Sequence, residues 1–100
     1  MQEFLYKLQL TRGDMLTTGP TAEEQAVVGE HFSYLQDLAA EGSIILVGRT
    51  LTTDANTMGL AIFRAESEDA ARQIMNADPA VKKGVMTATL YPFKVVLQAK

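Results

Sequence analysis

The order in which strand and helix patterns follow one another constrains the fold of this 100-residue chain more than any other feature. Residues 3–10 alternate apolar and more polar side chains, as a strand with one buried face does. A helix pattern follows over residues 21–40, and then two apolar strand patterns, SIILVG and MGLAIFRA. A second helix pattern, SEDAARQIMNAD, leads to a last strand over residues 85–91, which can continue past Pro92. The predicted order is therefore β-α-β-β-α-β.

Both helix patterns carry their own start signals. The TAEE stretch predicts a capping box between Thr21 and Glu24, and Gly42 ends the same helix. Ser67 is the predicted N-cap of the second helix. The loop over residues 11–20 is long enough to be a surface flap or a cover over a site, and DPAVKKG is expected to be a short turn. The buried stripe predicted for the first helix consists of Val28, His31, Phe32, Leu35, Leu38 and Ala39.

The element order is that of the split βαβ unit, an α+β fold of the ferredoxin-like type. Its four strands form one antiparallel sheet, and both helices lie on one face. The second and third strands are apolar on both faces, so both faces should be covered. In a monomer the face without helices would be wet, and such a patch predicts an interface. We therefore predict one domain over residues 1–100, a ferredoxin-like βαββαβ subunit that pairs through its open sheet face into a homodimer, a dimeric α+β barrel.

Composition excludes several classes of function. The net charge is −3 and the chain has no basic run, so nucleic-acid binding is not expected. No segment approaches the ~18 consecutive apolar residues of a membrane span, and the N-terminus has no signal-peptide pattern. We therefore expect a cytoplasmic protein without a membrane partner. The absence of cysteine excludes disulfides, thiolate metal sites and a cysteine nucleophile.

A single histidine also excludes a three-histidine zinc centre within one chain, so no metal is expected. No phosphate-binding glycine loop and no G-x-S-x-G nucleophile elbow is present. The sequence carries no cofactor fingerprint, and we expect no cofactor. The partner that remains is a small-molecule ligand.

Two residues are candidates for chemistry, and each has a structural alternative. His31 is either a core histidine bonded to a carbonyl or a general base, for which it needs a carboxylate to orient its ring. Asp78 precedes Pro79 and is either only the cap of a turn or also the carboxylate that orients His31. The two roles of Asp78 are compatible, because a capped carboxylate is fixed and ionised.

Two arginines are weaker candidates for substrate binding. Arg12 and Arg49 each follow the end of a predicted strand, where a loop can present a guanidinium to an anion. The alternative for each is a solvated loop arginine.

The chain resembles the YciI family, also called YCII-related proteins, over residues 4–95. The resemblance rests on EHFSYLQDLAAEGSIILVG, GLAIFRAESEDAARQIMNADPAVKKGV and LYPFKV, and most specifically on the helix histidine and the DP-x-V-x-x-G stretch. It implies a dimeric α+β barrel with an active site built on a His–Asp pair, matched here by His31 and Asp78. At least one relative is associated with dehydrochlorination of a chlorinated aromatic. Many members have Gly-Pro where this chain has Gly48-Arg49, so substrate identity is not carried over.

The sequence and the resemblance together lead to one functional hypothesis and two rivals. The hypothesis is a small enzyme that removes a proton from, or eliminates a group from, a small organic molecule that can be anionic. In this lyase- or dehydrochlorinase-like reaction His31 is the base and Asp78 orients it. The rivals are a non-catalytic small-molecule-binding module and a cofactor-free isomerase or monooxygenase-like enzyme, because the fold alone does not separate them.

Overall fold

A computed structural model describes residues 1–99 and confirms the predicted α+β fold. The sheet has four antiparallel strands in the order β2-β3-β1-β4. The strands are β1 (Gln2–Leu10), β2 (Ile44–Arg49), β3 (Gly59–Ala65) and β4 (Met86–Phe93). The helices are α1 (Ala22–Ala40), α2 (Glu68–Ala77) and the one-turn α3 (Pro79–Lys82). In this part of the chain, no helix combines the length and the apolar character that a membrane crossing needs.

The long helices begin where their capping residues stand. The Thr21 side chain accepts a hydrogen bond from the Glu24 N–H (3.1 Å), and the Glu24 carboxylate accepts one from the Thr21 N–H (2.8 Å). This confirms the capping box, which satisfies two N–H groups that the helix itself leaves free. The Ser67 hydroxyl accepts from the Ala70 N–H at the start of α2 (3.1 Å). Gly42 has φ of +85°, a conformation that glycine adopts without strain as the chain leaves α1.

The main core lies between α1, α2 and the face of the sheet that they cover. Phe4, Tyr6 and Phe63 are buried at its centre. The Phe63 ring packs edge-on against Tyr6, with centroids 5.5 Å apart, and lies 6.1 Å from the Phe4 ring. The remaining buried members of this cluster are Leu8, Leu35, Leu38, Ala61, Ala65, Ala71 and Met75.

The buried stripe of α1 differs from the prediction at its edge. Leu35 and Leu38 are buried as predicted, but Val27 takes part in the packing, and Phe32 is 59% exposed. Ala39 is exposed as well. The buried arc of α1 therefore lies further around the helix axis than predicted, and Phe32 borders an open cavity instead of the core. A periodicity argument locates an apolar arc on a helix, but it does not show whether another element covers the whole arc.

Two segments predicted as irregular contain short helical turns. The loop over residues 11–20 includes a 3-10 turn at Gly13–Leu16, from which Met15 is buried against α1 and α3. The DPAVKKG stretch forms α3, because Pro79 fixes a helical φ at the first position and Asp78 supplies the cap. Each of these segments forms about one helical turn, and neither changes the order of the main strands and helices.

A β-bulge in β2 changes which side chains point toward the helices. Ile44 pairs with Phe63, but the next paired residue, Leu46, lies opposite Ile62, so Ile45 is an extra residue. Paired residues of antiparallel strands share a face. Beyond the bulge, Val47 and Arg49 therefore lie on the helix side of the sheet, opposite Ala61 and Gly59.

The face of the sheet without helices, called here the open face, carries an apolar row across all four strands. The strand registers place Leu46, Ile62, Leu5 and Tyr91 side by side in this row. Leu46 is 54% exposed and Tyr91 is 43% exposed. The open face of β2 is thus exposed in the single chain, as the sequence analysis expects of a monomer. Cover of this face by a second subunit stays a prediction.

Candidate active site

His31 and Asp78 come from different elements and are in contact on the helix side of the sheet. His31 lies in the middle of α1, and Asp78 lies at the junction of α2 and α3. The Nδ1 atom of His31 is 2.8 Å from both carboxylate oxygens of Asp78. Because an ionised carboxylate only accepts hydrogen bonds, this contact fixes the proton of the neutral imidazole on Nδ1. The nitrogen left for a ligand is Nε2.

Asp78 is held in place by the turn that it caps. Pro79 cannot continue α2 with a backbone N–H, so the chain turns there, and the Asp78 Oδ1 accepts from the Ala80 N–H (3.0 Å). The Asp78 side chain is completely buried. Burial of a carboxylate without partners would be costly, so its hydrogen bonds are a condition of the fold as well as a part of the site.

A third donor to Asp78 is Tyr6, which lies within the predicted strand over residues 3–10 and was not among the predicted site residues. Its hydroxyl donates to Oδ2 of Asp78 (2.9 Å) from the centre of β1. Burial and the neighbouring Asp78 carboxylate raise the pKa of Tyr6 far above its ordinary value, so the hydroxyl keeps its proton. The signal for this contact was a tyrosine instead of a phenylalanine on the buried face, because a buried hydroxyl needs a partner.

A cavity of about 550 Å³ opens beside His31 on the helix side of the sheet. We call it the active-site cavity, because it lies beside the candidate base His31. Its walls are mainly apolar and come from α1, all four strands and the loop over residues 11–20. The ionisable side chains among its described lining residues are His31 and Arg49. The His31 side chain is 12% exposed, so its ring is reached through this cavity. The apolar lining residues include Leu10, Met15, Val28, Phe32, Val47, Met58 and Met86.

The structure places the two candidate arginines differently. Arg49 is exposed at the end of β2, borders the active-site cavity and forms no ion pair with any residue in 1–99. Arg12 instead pairs with Glu24, with Nε 3.0 Å from Oε2, and also donates to the Gly19 carbonyl. The Arg12 guanidinium holds the pKa of Glu24 at about 2, so this pair is charged at neutral pH. Arg12 thus ties the loop to α1, and its role in substrate binding stays a prediction.

This arrangement can perform general acid–base chemistry. A neutral imidazole whose Nδ1–H is held by a carboxylate presents a basic Nε2, and the carboxylate stabilises the imidazolium that forms on protonation. The apolar walls lower the local dielectric, which strengthens such interactions. No group of three or more carboxylates or imidazoles that could hold a metal ion is found in the described part of the chain.

Changing Asp78 to asparagine is expected to lower the NMR titration midpoint of the His31 imidazole by about one pH unit or more. The amide keeps an oxygen for the Ala80 N–H, so the turn before α3 is retained. It removes the negative charge that stabilises the imidazolium. The chain has one histidine, so its ring signals are assigned without overlap.

Asp54→Asn is the matched control for this titration. Asp54 accepts a hydrogen bond from the N–H of Asn56 (2.9 Å), the same local geometry as at Asp78, but in an exposed loop. The midpoint of His31 should not move in this variant. An unchanged midpoint in Asp78→Asn would show that the two residues do not form an electrostatic pair in solution.

Comparison with known proteins identifies a family and a group of similar folds. The sequence profile of the YCII-related domain matches residues 6–94. No curated protein matches the sequence significantly.

Three solved structures illustrate the similarity of fold. A 5-chloro-2-hydroxyhydroquinone dehydrochlorinase from Burkholderia phenoliruptrix AC1100, in complex with 2,5-dihydroxybenzoquinone, superposes with a TM-score of 0.63 at 22% identity, covering 91% of this chain and 93% of that one. An uncharacterised protein from Thermotoga maritima has a TM-score of 0.55 at 10% identity, with 92% and 95% covered. A dimeric ferredoxin-like protein from an uncultured marine organism has a TM-score of 0.50 at 12% identity, with 100% and 99% covered. At these identities the likeness concerns the fold.

Proposed function

Because this chain belongs to the YCII-related domain family, we propose that it is a small acid–base enzyme in which His31 is the general base and Asp78 orients it. The reaction is proton abstraction or elimination on a small organic molecule that carries a negative charge. The observation that carries the proposal is the 2.8 Å contact between His31 Nδ1 and the buried Asp78, beside an apolar cavity. A histidine oriented by a buried carboxylate at the wall of an accessible cavity is typical of catalytic sites.

The proposed step is a proton transfer to Nε2 of His31. In an elimination, the electron pair of the broken C–H bond forms the new double bond, and the leaving group departs with its own electron pair. Asp78 keeps the imidazole in the tautomer with Nε2 free, and its charge stabilises the imidazolium. The proton then leaves from Nε2 to the departing group or to water, which restores the neutral ring.

The proposed substrate is a small, largely apolar anion. The walls of the active-site cavity favour an apolar body, and Arg49, which borders this cavity, would pair with a carboxylate or phenolate. The cavity volume of about 550 Å³ lies in the range of ordinary small-molecule sites. The dehydrochlorinase with the similar fold acts on a chlorinated hydroquinone, which makes chlorinated aromatics the first class to examine.

The experiment that tests this function is a turnover screen of small acidic and chlorinated aromatic compounds with wild type and His31→Ala. The expected result is a compound consumed by the wild type alone, with release of the leaving group or exchange of the acidic proton in deuterated water. Hits are then compared with their neutral esters or ethers, which should bind more weakly because they lack the anion that Arg49 would pair.

The rival functions correspond to other outcomes of the same screen. Saturable binding near His31 with no product from any compound would favour a non-catalytic binding module. Rearranged or oxygenated products would favour an isomerase or monooxygenase-like enzyme. Consumption that is equal in wild type and His31→Ala would contradict the proposed base.

We also propose that the open face is the contact surface of a homodimer. This face carries an apolar row whose side chains stay partly exposed in the single chain, formed by Leu46, Ile62, Leu5 and Tyr91. An apolar sheet face of this kind is stabilised when a second layer packs on it. The segment after β4 adds exposed apolar surface, since Val96 is 80% and Leu97 is 93% exposed. Residues 94–98 of this segment border a shallow second cavity on the open face together with Leu46 and Ile62.

Light scattering at micromolar concentration should give twice the 10.9 kDa chain mass for the wild type. Leu46→Asp should give the mass of one chain, because a charge in the middle of an apolar interface is desolvated without a partner. Ala26→Asp, on the exposed side of α1, is the matched control and should remain dimeric. A stable wild-type monomer would contradict the proposal.

A further inference from the structure

We propose that Tyr6 is a positioning residue of the His31–Asp78 pair: its hydroxyl holds one oxygen of the carboxylate and shares its charge, which sets the basicity of the imidazole. The inference rests on the proposed role of His31 as a base and adds to it a residue from β1. Tyr6 makes no contact with the active-site cavity, so it would act on the reaction only through Asp78.

The three donors around the Asp78 carboxylate contact different parts of it. The Ala80 N–H binds Oδ1 (3.0 Å), the Tyr6 hydroxyl binds Oδ2 (2.9 Å), and the His31 Nδ1 lies 2.8 Å from both oxygens. The two outer donors come from opposite parts of the fold, the α3 turn and the central strand. Together they fix the plane of the carboxylate, and the imidazole binds the edge that remains.

The orientation of Tyr6 itself is fixed by packing. The residue is completely buried, and its ring lies edge-on to Phe63 with an interplanar angle of 70°. The hydroxyl keeps its proton, because burial and Asp78 raise the pKa of Tyr6. Tyr6 is therefore a permanent neutral donor to the carboxylate and does not take part in a proton relay at neutral pH.

A donor on the far oxygen changes how strongly Asp78 stabilises the imidazolium. Hydrogen bonds to a carboxylate withdraw charge from it, so each additional donor weakens its attraction for the neighbouring cation. Without the Tyr6 hydroxyl, more negative charge faces His31, and the imidazolium becomes more stable. A larger fraction of His31 would then be protonated at neutral pH and unable to accept a proton from a substrate.

A second tyrosine near the pair serves as a matched control. Tyr34 lies on α1, and burial raises its pKa, with smaller contributions from the charges of Asp78 and Glu41. Its hydroxyl donates to the backbone carbonyl of Ile74 (2.7 Å) and makes no hydrogen bond with Asp78. Removing this hydroxyl deletes the same atom from a partly buried tyrosine near Asp78 without changing the donors around the carboxylate.

The test is the NMR titration of the His31 imidazole in Tyr6→Phe, Tyr34→Phe and wild type. We expect the midpoint to rise by roughly half a pH unit in Tyr6→Phe, from the loss of one donor to the carboxylate, and to stay unchanged in Tyr34→Phe. A midpoint in Tyr6→Phe that stays or falls, or an equal rise in Tyr34→Phe, would overturn the proposal. A purely structural hydroxyl would lower stability in both variants and leave both titrations unmoved.

If Tyr6→Phe does not fold, a fluorine label on the Tyr6 ring tests the same proposal, because it keeps the hydroxyl and changes only its strength as a donor. The chain has three tyrosines, so a Tyr34→Phe, Tyr91→Phe background labelled with 3-fluorotyrosine carries the label at Tyr6 alone. Fluorine makes the phenol a stronger donor, and the His31 midpoint should fall relative to the unlabelled background. An unchanged midpoint overturns the proposal. None of these titrations requires a substrate, so failure here is distinguishable from failure of the turnover screen.

Discussion

Substituting glutamine for His31 is expected to reduce turnover of the compound found in the screen by ~10²–10⁴-fold, the usual contribution of a general base. Glutamine is close to histidine in size, and its amide can still donate to Asp78, but it does not accept a proton at neutral pH. The loss should therefore appear in kcat, with the folded structure retained.

The control for this variant is Ser33→Ala, on an exposed side of the same helix. It should keep wild-type turnover and show that substitutions in α1 do not themselves abolish activity. Circular dichroism and urea unfolding of His31→Gln would check that the fold is intact. A folded His31→Gln that retains more than half of the wild-type kcat would exclude His31 as the base.

Replacing Phe63 with alanine is expected to lower the free energy of unfolding by about 3–5 kcal/mol, as for other buried phenylalanines. Phe63 is completely buried and packs against both Phe4 and Tyr6, so the change leaves a cavity in the middle of the core. Domains of this size have total stabilities of about 5–15 kcal/mol, so the loss is a large fraction of the whole. Urea unfolding at a fixed protein concentration measures it.

Phe32→Ala is the matched control for Phe63→Ala. It deletes the same ring from a residue that is 59% exposed and borders the active-site cavity. Phe32→Ala should lower the free energy of unfolding by less than about 1 kcal/mol, because the folded state buries little of this ring. Equal losses in the two variants would mean that the core is not centred where the structure places it.

The parts of the fold that sequence reasoning could predict are those with local causes. A capping box is four consecutive residues, and the sequence contains both Thr21 and Glu24 at the required spacing. Strand alternation in residues 3–10 directly reflects one buried face. Asp78 followed by Pro79 predicts a capped turn because proline stops one helix and starts the next.

The parts that could not be predicted depend on contacts between distant elements. Phe32 belongs to an apolar arc, but its exposure depends on whether a strand or loop reaches over it. The contact of His31 with Asp78 joins residues 47 positions apart, and that of Tyr6 with Asp78 joins residues 72 positions apart. The resemblance to a family pointed to the first of these pairs. Nothing in the periodicity of β1 distinguishes the hydroxyl of Tyr6 from a core ring.

The extra residue in β2 determines which side chains of this strand face the site. If the bulge were absent and Ile45 paired with Ile62, every later residue of the strand would move to the other face, so that Leu46 and Gly48 would point toward the helices and Val47 and Arg49 toward the open face. Loss of the bulge at constant strand length would thus remove the guanidinium from the cavity and place its charge on the apolar open face. Deleting Ile45 itself would keep the pairs of Ile44 with Phe63 and of Leu46 with Ile62, and would leave both faces unchanged. The irregularity of one strand therefore determines the lining of the cavity and the composition of the open face together, without any change in His31, Asp78 or Tyr6.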